Sequence, residues 1–257
     1  QHHAAIHHVN LAHGAAIDVL RAYLPGASLG TICNLQPVRA VDPTPADRAA
    51  AALLDEYWNR AFADPQIRGA YPAVLAGRIA PFVQAGDMDR IQRPIDWLGI
   101  NHYSPIYARA DAASRLGFAW SDAPANVPRS PIGWQIDPDG FRDTLLDACD
   151  RYRLPIYVTE NGAGAEESGD ATGGVNDVER VDYLSRYIDA LEEAVMYGAD
   201  VRGYFVWSLL DNFEWGAGYA SRFGLVRVDY PTQRRIPKAS ARWYKATIAA
   251  QVRGGVS

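Results

Sequence analysis

Four short apolar runs, each ending in polar residues, constrain this chain more than any other feature. They lie at residues 27–34, 95–103, 154–159 and 201–207, and amphipathic stretches separate them. A run that is apolar at nearly every position suits a strand buried on both faces, as in a parallel sheet covered by helices. Strands alternating with helices of 10 or more residues predict an α/β fold.

The helical stretches are predicted near residues 3–24, 45–63, 73–79, 138–152 and 238–252, with one more before the fourth strand. In the first, Ile6, Val9, Ile17, Leu20 and Leu24 share a face, and Pro25-Gly26 stops it. The helix before the fourth strand is marked by Asn176 with Glu179 three residues on, a relative of the capping box. Its apolar stripe reads Leu184, Tyr187, Ile188, Leu191 and Val195, and Gly198 follows as a C-terminal cap. Polar residues gather where the strands end: Asn34, Asn101 with Tyr103, Glu160 with Asn161, and Ser208. In a (β/α)₈ barrel that end of the strands carries the active site. A closed barrel needs eight strands, and only four are read here, with a helix ahead of the first.

Composition narrows the function. With 25 Lys and Arg against 30 Asp and Glu, the net charge is −5, which offers no broad cationic surface for nucleic acid. No apolar run reaches the roughly 18 residues needed to span a bilayer, and residues 1–24 lack the pattern of a signal peptide. Cys33 and Cys149 make neither a disulfide framework nor a zinc knuckle. The expectation is a cytoplasmic protein with free thiols, no metal and no cofactor.

Two segments carry chemistry. Tyr157-Val-Thr-Glu160-Asn-Gly162 puts a carboxylate at a strand end, just before a glycine turn. Trp207-Ser-Leu-Leu-Asp-Asn-Phe-Glu214-Trp215-Gly216 alternates rings with carboxylates, which suits sugars: rings stack on C–H faces and carboxylates accept paired hydroxyl protons. The ordinary roles would be a turn cap for Glu160 and core packing for the tryptophans. Core packing of the whole second segment would bury Asp211, Asn212 and Glu214 without partners. His3 and His7, one turn apart, are read as a helix face and not a metal pair, and His102 as a packed histidine. Gly169 to Gly174 lacks the lysine of a phosphate loop.

Gly99-Ile-Asn-His-Tyr103, Tyr157 to Gly162, and Trp207 to Tyr230 resemble the signature regions of family 1 glycoside hydrolases, the β-glucosidases. His13-Gly14, Thr31 to Pro37, and Gly133-Trp-Gln-Ile-Asp-Pro138 also fit, so the resemblance extends over nearly the whole chain. It implies a (β/α)₈ TIM barrel of which these 257 residues form a single C-terminal half, helix four and units five to eight. It also implies Glu160 as nucleophile of a retaining β-glucosidase, acting on terminal β-glucosyl or β-galactosyl residues through a covalent intermediate. Tyr103 would orient that nucleophile. Asn101, Trp207, Glu214, Trp215 and Phe223 would form the sugar subsite, and Trp134 an aglycone-side wall. The presence of Glu214-Trp215 argues against 6-phosphorylated sugars, since a carboxylate repels phosphate.

The resemblance places the acid/base glutamate in an Asn-Glu-Pro motif after the fourth barrel strand, and this chain contains no Asn-Glu-Pro. Glu166, Glu167 and Asp211 are the stand-ins considered. The expected partners are therefore a β-glucoside and either an N-terminal half-barrel chain or a second copy, because a half barrel exposes two strand edges. The alternatives are a sugar-binding remnant without hydrolysis, or an inactive fragment.

Overall fold

The computed structural model describes residues 1–169 and 174–254. Helix α1 (His2–Tyr23) leads into β1 (Gly30–Asn34) and the short β2 (Val38–Ala40). Helices α2 (Pro45–Trp58), α3 (Arg60–Ala63), α4 (Ala73–Ile79) and α5 (Asp87–Ile91) come next. Strands β3 (Trp97–His102), β4 (Ile106–Ala110) and β5 (Phe118–Ser121) precede α6 (Pro138–Tyr152). Then come β6 (Ile156–Asn161), the two-residue pair β7 (Ser168–Gly169) and β8 (Val175–Asn176), α7 (Val178–Met196) and β9 (Val201–Val206). The hairpin β10 (Val226–Asp229) and β11 (Arg234–Pro237) leads into α8 (Ala239–Gly254). None of the helices among the described residues is long and apolar enough to cross a membrane.

The four predicted strands form one parallel sheet in the order β1-β3-β6-β9. One face packs on α6 and α7, where Leu98, Ile100, Ile156 and Val158 meet Phe141, Leu145, Leu184 and Tyr187, all fully buried. Each such side chain contributes about 1.5–3 kcal/mol relative to exposure. The opposite face carries Ile32 and Phe205, 54% and 56% exposed, where a closed barrel would have its packed interior. Both outer strands, β1 and β9, have a free edge among the described residues.

The sequence reading missed the three-stranded sheet β2-β4-β5 and the β10–β11 hairpin. It also drew α1 in the wrong rotation. Val9, Leu20 and Leu24 are exposed, and the buried face is Ile6, His7, Asn10, Gly14 and Ile17. Gly14 explains the rotation: a Cβ there would sit 1.7 Å from the Arg90 carbonyl oxygen, so α1 presses its backbone onto α5. His7 and Asn10 are buried because they are paired. His7 Nδ1 lies 3.0 Å from the Tyr71 hydroxyl and its Nε2 3.1 Å from Asp87, while Asn10 donates to the Ala61 carbonyl at 3.1 Å. His3 turns instead toward Tyr57. No metal-ligand cluster occurs among the described residues. The predicted capping box also fails: α7 starts at Val178, and the side chain of Asp177 is committed elsewhere.

His102 is fully buried against Phe141 and Tyr187, with Nδ1 3.0 Å from the Leu35 carbonyl. Burial pushes its pKa from 6.5 down to about 4, against the opposing pull of that carbonyl. The folded value lies below the unfolded one, so the unfolded chain binds more protons between them. The stabilisation is complete above pH 6.5 and lost as pH falls toward 4, on the order of 3 kcal/mol in all. Urea midpoints across that window are expected to fall steeply for the parent chain and to flatten for His102→Gln.

Candidate active site

Simple alternation along β6 would point Glu160 at the helices, on the side of Ile156 and Val158. The register shows why it does not. Ile100 pairs with Val158, yet Asn101 pairs with Glu160, so Thr159 is an extra residue, a β-bulge. Thr159 and Glu160 are consequently both half-buried on the barrel-interior side, and alternation resumes at Asn161. Asn161 itself is fully buried and structural: its amide donates to the His102 carbonyl at 2.8 Å and it accepts the Tyr204 hydroxyl at 2.7 Å.

At the mouth of the sheet the Tyr103 hydroxyl donates to Glu160 Oε2. Burial holds the Tyr103 phenol well above its usual pKa, and the hydrogen bond to Glu160 adds to that, so it stays a donor at any working pH. Beside it, Thr159 Oγ1 donates to Asn101 Oδ1 at 2.7 Å, fixing the Asn101 amide. Trp207 Nε1 donates to Glu214 Oε1 at 3.2 Å, joining the two ends of the second segment. Burial raises the Glu214 pKa; the Trp207 N–H opposes this, and the charge of Glu160 pushes it further up. Glu160 and Glu214 thus face the same space.

Phe223 is buried and forms the wall, its ring 5.7 Å from Trp134 and 6.5 Å from Tyr103. Trp134 lies 5.4 Å from Tyr103, edge to face. Trp215 joins none of these contacts: it sits on the turn closed by the Glu214 N–H to the Gly218 carbonyl and is 84% exposed.

The candidate stand-in acids fare differently. Asp211 is buried and saturated. It accepts Lys238 Nζ at 2.8 Å, Arg222 Nη1 at 2.6 Å, and the backbone N–H groups of Gly224 at 3.0 Å and Val228 at 3.2 Å. Burial alone would raise its pKa, but Lys238 and Arg222 outweigh that and hold the carboxyl below the usual range. Glu167 is not a solvated loop residue: its carboxylate is buried between Lys238 and Arg227. Both are committed to buried ion pairs. Glu166 is exposed, beyond the mouth, beside α7. Residues 170–173 of the glycine-rich loop lie outside the described residues.

Carboxylates thus group with aromatic rings at the carboxyl ends of parallel strands, the end that carries the active site in (β/α)₈ barrel enzymes. The chain belongs to glycosyl hydrolase family 1, whose profile matches residues 1–252. It is 38% identical to a β-glucosidase of an Agrobacterium species, over 98% of this chain and 56% of that protein. It is 41% identical to a bifunctional β-D-glucosidase/β-D-fucosidase of Bifidobacterium breve, over 95% of this chain and 57% of the relative. Among solved structures, a psychrophilic β-glucosidase from Micrococcus antarcticus superposes with a TM-score of 0.88 at 38% identity, covering 96% of this chain and 58% of that one. The family 1 β-glucosidase of Thermotoga maritima gives 0.88 at 33% identity, over 95% and 56%. The chain therefore spans little more than half the length of these relatives, and the fold is part of their (β/α)₈ barrel.

Proposed function

We propose that this chain supplies the nucleophile and one side of the sugar subsite of a retaining β-glucosidase. The observation that carries the reading is the Tyr103–Glu160 hydrogen bond facing the Trp207–Glu214 pair across one mouth. Glu160 attacks the anomeric carbon as the bond to the leaving oxygen breaks, giving a glycosyl ester that water later hydrolyses with net retention. Tyr103 holds the carboxylate on line. Glu214 accepts hydroxyl protons of the non-reducing sugar, Trp207 and Phe223 wall it, and Asn101 and Trp215 complete the contacts, with Trp134 toward the aglycone.

Retention needs a second carboxyl about 5–5.5 Å from the first, to protonate the leaving group. Asp211 and Glu167 are committed to ion pairs, so that group comes from the part of the family fold outside these residues. The free edge of β1 suits it. A groove of about 1220 Å³ runs along that edge, lined by Ile6, Val9, Ile32, Leu54, Trp58 and Trp120 among others. A further parallel strand laid on β1 would fill the groove and continue the barrel. Cellobiose, whose leaving group needs an acid, is the discriminating substrate. We expect no turnover by this chain alone and turnover when the N-terminal half-barrel of a family 1 β-glucosidase is added. Cellobiose hydrolysis by the chain alone would overturn the placement of the acid.

A further inference from the structure

Arg180 is an arginine on the buried face of α7 with no exposed surface. Its guanidinium makes three directed contacts. Nε donates to the Ala163 carbonyl at 3.2 Å, Nη2 to the Arg222 carbonyl, and Nη1 to the Asp177 carboxylate. Asp177 is held in turn by the backbone N–H of Ser240 at 2.9 Å and its hydroxyl at 2.6 Å, at the start of α8. The two carbonyls belong to different arms of the site. Ala163 lies three residues beyond Glu160, and Arg222 directly precedes Phe223, closing the segment that begins at Trp207. These arms already touch backbone to backbone: a Cβ on Gly162 would lie 2.0 Å from the Trp207 carbonyl oxygen.

We propose that Arg180 is a positioning residue, a clamp that sets the spacing between the arm carrying Glu160 and the arm carrying Trp207, Glu214 and Phe223. The proposal rests on the sugar-site reading above. Two main-chain carbonyls turned toward one buried cation, with one carboxylate to neutralise it, fix a distance that neither arm fixes alone. Only a planar fork reaches all three acceptors at once; a lysine ammonium, a shorter point donor, reaches fewer. A shift of about 1 Å in such an arrangement is worth about 100-fold in rate.

The test compares the parent, Arg180→Met and Arg180→Lys, each assembled with the complementing N-terminal half. Amide hydrogen exchange of residues 162–164 and 221–224 is read without substrate, and kcat and KM with an activated β-glucoside. For Arg180→Met, both segments are expected to loosen together and kcat/KM to fall about 100-fold. The pH profile should keep its shape, and Arg180→Lys should recover part of both losses. If the methionine variant does not fold, the lysine variant alone carries the comparison against the parent. Loosening of both segments with kcat/KM within twofold of the parent would overturn the positioning role, as would unchanged exchange or loosening of one segment only. An assembled parent that hydrolyses no glucoside counts against the glucosidase reading; coupled loosening in those same samples still supports the clamp, and its absence still overturns it.

Discussion

Glu160→Gln in the assembled enzyme is expected to lose activity by on the order of 10⁴-fold or more, with little change in stability. The amide is isosteric and still presents an oxygen to the Tyr103 hydroxyl, so the mouth keeps its shape while the proposed nucleophile is gone. The companion is Glu160→Ala with azide and a glucoside bearing a good leaving group. A small anion in the vacated space attacks the same face of the sugar, and the glycosyl azide should carry inverted stereochemistry. Product analysis by NMR checks this. Undiminished turnover in the glutamine variant would remove Glu160 from the chemistry.

Asp211→Ala is expected to be the most destabilising single change, by about 3–5 kcal/mol, because it leaves the fully buried Lys238 with Glu167 alone, unpairs Arg222 and strands two backbone N–H groups. A small domain has only about 5–15 kcal/mol in hand. The paired change Asp211→Asn with Lys238→Met removes the buried cation together with one of its two anions, leaves Glu167 to Arg227, and keeps an acceptor for Gly224 and Val228, so it should cost less than the alanine change. Urea unfolding of the three proteins decides. Equal losses would show that neither the unpaired charge nor the two backbone contacts adds to the cost, which would overturn the expectation.

The parallel sheet was legible because its strands are apolar on both faces, and such runs of Val, Ile and Leu have few other uses, although one face is open among the described residues. The small sheet was not. Val38-Arg39-Ala40 is too short to show a period, and Ile106–Ala110 ends in two exposed residues. The Glu160 and Glu214 segments were legible because a carboxylate at the end of an apolar strand, or between tryptophans, needs a reason. Arg180 was hidden by an assumption, since a charged residue in a helix is read as solvent-facing. A signal was present: extending the stripe Tyr187, Leu184 and Tyr183 back by one turn lands on residue 180. The same rotation leaves Val195, counted in the predicted stripe, 44% exposed.

The extra residue in β6 means that the direction of Glu160 is set by the pairing register and not by its chemistry. Residues around position 159 can change type while the strand keeps its length, and Glu160 still looks into the barrel. Loss of residue 159 would remove the bulge and restore plain alternation, which leaves Glu160 opposite Asn101 and still facing into the barrel. What the bulge adds is a second residue on the interior face, and its loss would cost the Thr159 contact to Asn101 and not the direction of the carboxylate.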